Sequence, residues 1–168
     1  PRGVPPHAIP LSFNYIIILY KYQCLSFVTM MAMKILGIET SCDETAAAVI
    51  EDGRRLLSNA VASSVDRHAV YGGVVPEIAA RSHIEAILPT VDSALKTAAV
   101  SWPQIDALAV TEGPGLGGSL LVGVMTARSL AIAKGKPLYA VNHVTAHVYA
   151  AFLTESALPA YHLPPAPP

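Results

Sequence analysis

Cysteine is nearly absent from this chain, and so is a surplus of charge. Its two cysteines, Cys24 and Cys42, make no disulfide framework and have no zinc-ligand spacing. Such sparse use fits a reducing compartment, and the chain is expected in the cytoplasm. The net charge is −1 and charged residues make up only 14% of the chain, so no basic field announces a nucleic-acid partner. The apolar run at residues 11–28 is interrupted by Asn14, Lys21 and Gln23. It falls short of the ~18–20 clean apolar residues of a membrane span. It also lacks the basic, apolar, small order of a secretory signal peptide, and no membrane partner is expected. Three nucleotide or metal signatures are missing as well. No G-K-[ST] follows the glycines near residue 115, which excludes a nucleoside-triphosphate P-loop. There is no G-x-G-x-x-G with an acid about 20 residues later. Val144 stands where a zinc protease of the H-E-x-x-H type has its glutamate.

What is present is enough to build a core. Of 168 residues, 52% are hydrophobic, which suits one globular domain. Lys34 to Glu39 reads as a strand, with the polar turn TSCDET after it. Thr45 to Glu51 reads as a second strand, Asp52-Gly53 as a two-residue hairpin, and Arg54 to Ser63 as a third strand. A loop over residues 64–75 holds His68 and the pair Gly72-Gly73. A long helix is expected over residues 76–99, kinked or divided at Pro89. Its buried face is expected to carry Ile84, Ile87, Leu88, Val91 and Leu95. Ser101 and Gln104 have capping-box spacing for one turn before a strand from Ile105 to Val110. A glycine loop, a helix from Ser119 closed by Gly135, a strand KPLYAV and a last helix complete the order.

Chemistry-bearing residues gather at three places. In the turn after the first strand, Thr40, Ser41 and Thr45 carry hydroxyl donors, while Asp43 and Glu44 are suited to a metal or a substrate amine. Gly113, Gly115, Gly117 and Gly118 precede a helix, where unpaired N–H groups and the dipole favour an anion. A tight turn with close packing explains the same glycines. His143 and His147 are four residues apart, so both imidazoles lie on one helix face, as metal ligands or as surface residues.

Three antiparallel strands followed by helix, strand, helix, strand, helix is the order of an α/β ribonuclease-H-like domain of the actin–hexokinase superfamily, βββαβαβα. In order along the chain, MKILGIETSCDET, YGGVVPEIAARSH, TEGPGLGGSLLVG and NHVTAH resemble the tRNA threonylcarbamoyltransferase family, once called the O-sialoglycoprotein endopeptidase or glycoprotease family. The resemblance covers about Met33 to Leu153. It implies transfer of a threonylcarbamoyl group from threonylcarbamoyl-AMP to N6 of the adenosine beside the tRNA anticodon. It implies one metal ion, iron or zinc, held by His143 and His147, with a third ligand, an aspartate, from a second domain. It also implies a scaffold paralogue and an ATPase subunit as partners. Asp43 and Glu44 are the expected catalytic residues; Thr40, Ser41, Thr45, Gly113, Gly115, Gly117 and Gly118 are the expected substrate contacts.

The chain departs from the family pattern at Thr145, where many bacterial members carry glutamate. Residues 33–154 are expected to form the N-terminal domain of the enzyme, with the second domain beyond this sequence and the isolated chain inactive. Residues 1–32 are expected to be extraneous to it, with the natural start at Met30, Met31 or Met33. Residues 155–168 read as a proline-rich truncated tail. Three alternatives remain open: a non-catalytic scaffold paralogue, which generally lacks the histidine pair; a metalloprotease; and, more remotely, a sugar kinase.

Overall fold

The computed structural model describes residues 32–150 and 153–155. Strands β1 (Lys34–Glu39), β2 (Glu44–Glu51) and β3 (Arg55–Ser63) are consecutive and antiparallel. Strands β4 (Ala107–Gly113) and β5 (Leu138–Asn142) continue the sheet in parallel on the other side of β1. The order is thus β5-β4-β1-β2-β3, with a two-residue strand β6 (Thr154–Glu155) parallel to β3. A three-stranded meander extended by parallel strands on its first member is the ribonuclease-H-like arrangement. The expected extension at 1–32 and tail at 155–168 lie outside the described residues, apart from Ala32 and Glu155.

Alternation along each strand assigns the two faces of the sheet. On one face, Leu36, Ile38, Ala47, Val49, Leu108 and Val110 pack with helices α2 (Pro76–Thr97) and α3 (Gly117–Lys134). On the other, Ile35, Ala46, Ala48, Ile50, Ala107 and Ala109 cluster with Ala146 of helix α4 (His143–Ala150). Both faces of β1 and β4 are covered, which is why those strands read as near-continuous apolar runs. No helix among the described residues is long and apolar enough to cross a membrane.

Several expectations are corrected. The hairpin after β2 has three loop residues, Asp52, Gly53 and Arg54, between paired Glu51 and Arg55. Asp52 and Gly53 do adopt the positive φ of 50° and 67° that this dipeptide favours. The segment read as a loop over 64–75 contains a short helix α1 (Val65–Ala69). Pro89 does not divide α2, which is one unbroken 22-residue helix. On α2, Ile87, Val91 and Leu95 are buried, but Ile84 and Leu88 are 65% and 58% exposed. Ala79 and Ala94, small enough for close approach, and His83, hydrogen-bonded to Thr45 and Cys42, complete the buried face instead. Strand β4 begins two residues later than expected and runs on to Gly113, since β5 supplies partners out to the Gly113–Asn142 pair. Gly135 closes α3 in the left-handed conformation as expected, and Ser101 and Gln104 do close a single turn.

Helix α3 lies hard against the start of the β1–β2 turn. A Cβ on Gly123 would fall 2.2 Å from Thr40 Oγ1, a group that is itself buried. Gly123→Ala is therefore expected to destabilise the fold by about 1–3 kcal/mol through overpacking. Gly117→Ala, with nothing within 4 Å of the added carbon, should stay within about 1 kcal/mol of wild type. Urea unfolding of the two variants measures the difference.

Candidate active site

Strand β1 ends at Glu39 and β2 begins at Glu44, so four residues make the turn between them. Its carbonyls are captured one after another. Leu116 N–H donates to Ser41 O at 2.8 Å, and His83 Nε2 to Cys42 O at 3.0 Å. Ser64 donates to Asp43 O from both its backbone N–H, at 3.1 Å, and its hydroxyl, at 2.6 Å. Two threonines brace the same turn from inside. Thr40 Oγ1 donates to Ser119 O at 2.8 Å, and Thr45 Oγ1 lies 2.8 Å from His83 Nδ1. Since His83 Nε2 is a donor, its Nδ1 accepts from Thr45. Burial depresses the His83 pKa and so favours this neutral form. His68, also buried, spans from Ser64 Oγ at 3.1 Å to the Val75 N–H at 3.3 Å.

With its backbone held inward, the turn directs other side chains to solvent. A cavity of about 130 Å³ is lined by Glu39, Ser41, Cys42, Asp43, Glu44, His143 and His147. Partial burial raises the Glu44 pKa, and the neighbouring Asp43 carboxylate adds to the rise. The Cys42 thiol is also pushed up, first by desolvation and then by Asp43, which keeps it protonated and poorly nucleophilic.

The opposite wall is the first turn of α4. Asn142 ends β5 and caps the helix: its Oδ1 accepts from Val144 N–H at 3.0 Å and Thr145 N–H at 3.1 Å. His143 therefore enters the helix directly from the carboxyl end of a parallel strand. Its Nε2 and that of His147 are 2.9 Å apart, with the rings nearly perpendicular at 85°. On its other edge, His143 Nδ1 lies 3.2 Å from Ser41 Oγ and 3.3 Å from Glu39 Oε2. Buried Glu39 also accepts from the Ser41 N–H and the Thr111 hydroxyl.

The expected site residues thus separate into three groups. Asp43, Glu44, His143 and His147 come together around one cavity, with Ser41 on its wall. Thr40 and Thr45 sit below it, both buried with hydroxyls engaged inside the protein. Gly113 ends β4, and Gly117 and Gly118 form the first turn of α3, so the glycine loop shrinks to Pro114, Gly115 and Leu116. Gly115 packs on the turn itself; a Cβ there would lie 2.6 Å from Ser41 O.

Residues 55–164 match the family profile of tRNA N6-adenosine threonylcarbamoyltransferase (TsaD). The chain belongs to that family. It is 58% identical over 126 residues to the tRNA N6-adenosine threonylcarbamoyltransferase of Syntrophobacter fumaroxidans, covering 75% of this chain and 37% of that protein. Its counterpart in Symbiobacterium thermophilum is 62% identical over 121 residues, covering 72% of this chain and 36% of the relative. The chain therefore spans little more than a third of the length of these curated relatives. Among solved structures, YeaZ from Pseudomonas aeruginosa aligns over 66% of this chain and 43% of its own, with a TM-score of 0.48 and 24% identity.

In this threonylcarbamoyltransferase-family chain, the histidine pair is the candidate for half of a metal shell. Two imidazole nitrogens on a tetrahedral ion with bonds of 2.0–2.1 Å sit roughly 3.3 Å apart. The separation here, 2.9 Å, is shorter and is that of a hydrogen bond, so the two rings would have to part slightly to hold an ion. Among the described residues no set of three His, Cys, Asp or Glu side chains converges as a metal group. Reading the sequence missed Glu39, which looks like the last residue of an ordinary strand. The signal was a carboxylate that directly follows the apolar run Ile35 to Ile38 of its strand. His83 and His68 were also missed as braces of the turn.

The Glu44 environment is directly measurable. A carbon-13 titration of its carboxyl should give a pKa above that of a free glutamate. Asp43→Asn should bring the value down only part of the way, because burial, the larger cause, persists. A complete return to the free value would assign the whole shift to Asp43 and contradict the burial.

Proposed function

We propose that this chain forms one wall of the active site of a tRNA N6-adenosine threonylcarbamoyltransferase. The observation that carries the reading is the convergence of His143, His147, Asp43 and Glu44 on one cavity in a chain of this family. The reaction forms a bond from adenine N6 to the threonylcarbamoyl carbonyl carbon and breaks the mixed anhydride of threonylcarbamoyl-AMP, releasing AMP. Adenine N6 is a poor nucleophile and AMP a good leaving group, so positioning supplies most of the acceleration. His143 and His147 would hold a divalent iron or zinc ion, which when bound polarises a substrate oxygen. The resemblance implies that an aspartate of a second domain completes its shell.

The chain's own groups account for the remaining steps. The first turn of α3, at exposed Gly117 and Gly118, offers N–H groups that have no partner within the helix to the adenylate phosphate. Glu44, with its raised pKa, takes the proton that the amine loses, and Asp43 beside it keeps that proton favourable. Activity in the cytoplasm follows from tRNA as substrate. A zinc-protease reading is weaker, since Val144 follows His143 where that chemistry needs glutamate.

A scaffold paralogue is the proposed partner, with an ATPase subunit joining the complex. The α2–α3 seam, where Gly118 meets Ala80, continues into exposed Ile84, Leu88, Leu121 and Met125. Such a cluster favours a protein contact. Leu88→Glu with Met125→Glu should weaken pairing with the paralogue at least tenfold in sedimentation velocity; unchanged pairing would rule this face out.

The enzymatic reading is tested by modified adenosine in tRNA, given threonylcarbamoyl-AMP, the partner proteins and the chain with its second domain. Glu44→Gln is expected to lower the rate about 10²–10⁴-fold, the usual range for a lost general base. His143→Ala and His147→Ala should each abolish metal retention as well as turnover. A Glu44→Gln enzyme with wild-type rate would remove the base from the mechanism.

A further inference from the structure

Resting on the metal reading above, we propose that Glu39 is a positioning residue, which fixes His143 as the Nδ1–H tautomer and so leaves Nε2 unprotonated toward His147. The contact alone does not decide the tautomer. Ser41 Oγ, 3.2 Å from His143 Nδ1, is able to donate or to accept. Were it the donor, Nδ1 would be the acceptor and the ring proton would sit on Nε2, blocking that nitrogen as a ligand. Glu39 Oε2, 3.3 Å from the same Nδ1, breaks the tie. An ionised carboxylate only accepts, so it stabilises a proton on Nδ1. The Ser41 hydroxyl is then left to accept as the second branch of a shared bond, or to turn away.

The geometry of the carboxylate supports this assignment. Glu39 is 2% exposed, and its two oxygens are held by separate donors, the Ser41 N–H on Oε1 and the Thr111 hydroxyl on Oε2. Thr111 sits on β4 beside β1 and on the same sheet face. The carboxylate is therefore oriented at both oxygens, and it presents Oε2 to the His143 edge. The same assignment satisfies the other edge: with His143 Nε2 an acceptor, His147 Nε2 donates across their 2.9 Å contact. On metal uptake only His147 has to move its ring proton. Carboxylate, histidine and metal in series is a recurrent arrangement that orients the ligand and raises its basicity.

The experiment is nitrogen-15 NMR of the histidine side chains in the full chain, first stripped of metal and then titrated with zinc ion alone. Wild-type His143 is expected to show a protonated Nδ1 and an unprotonated Nε2 before any metal is added. Glu39→Gln should lose that preference and weaken zinc affinity about 10–100-fold, as other outer-shell substitutions do. Thr111→Val serves as the structural control: it removes one brace of the carboxylate but keeps the carboxylate, so tautomer and affinity should both stay near wild type. A wild-type His143 protonated on Nε2 would overturn the proposal, and this measurement needs no variant to fold. So would a Glu39→Gln chain with unchanged tautomer, or a Thr111→Val chain that loses as much zinc affinity as Glu39→Gln. A wild type that takes up no zinc ion sinks the metal reading, while its tautomer still decides the role of Glu39.

Discussion

Three successive carbonyls in the turn after β1 are held by three separate parts of the chain. Ser41 O is taken by the glycine loop, Cys42 O by a histidine of α2, and Asp43 O by the serine that follows β3. A four-residue turn has few ways to place its peptide groups once three successive carbonyls have fixed donors. With the backbone facing inward, Asp43 and the Glu44 that follows it are left to face the cavity. The acidic wall of the site is thus a consequence of backbone satisfaction.

The same logic explains where the remaining parts of the site come from. In a sheet with parallel members, ligands lie beyond the carboxyl ends of the strands. Here β1 delivers Glu39, β4 delivers Thr111, and β5 passes through Asn142 straight into His143. Strand β2 runs the other way, so its first residue rather than its last, Glu44, arrives at that edge. Residues about a hundred positions apart in sequence are brought together by strand order alone.

Much of this was legible before any coordinates, and the reasons for the remainder are physical. Strands β1, β2 and β3 announce themselves because short apolar runs are separated by polar turn residues. The spacing of His143 and His147 needs only the helical period. What was hidden depends on tertiary partners. Gly113 looks like loop and is strand because β5 lies alongside. Ile84 and Leu88 match the helical period but face solvent, since apolar periodicity does not distinguish a core face from an exposed one. Thr40 and Thr45 lie beside the acidic residues Asp43 and Glu44 in sequence, yet their side chains point into the protein toward Ser119 and His83. Glu39 was hidden most completely, because its meaning lies in a contact 104 residues away.

The glycines near α3 follow from the same turn. Gly115 and Gly123 are the positions where α3 and its entry loop touch Ser41 and Thr40, and a methyl group at either would collide with them. Neither is required by a positive φ; what they permit is contact close enough for Leu116 N–H to reach Ser41 O. Gly117 and Gly118 differ, since they stand in the exposed first turn of the helix. A run of glycines in sequence therefore divides in space. One part presses the helix onto the turn, and the other leaves the helix start uncovered beside it. The close approach at Gly115 is what brings the start of α3 against the turn that carries Asp43.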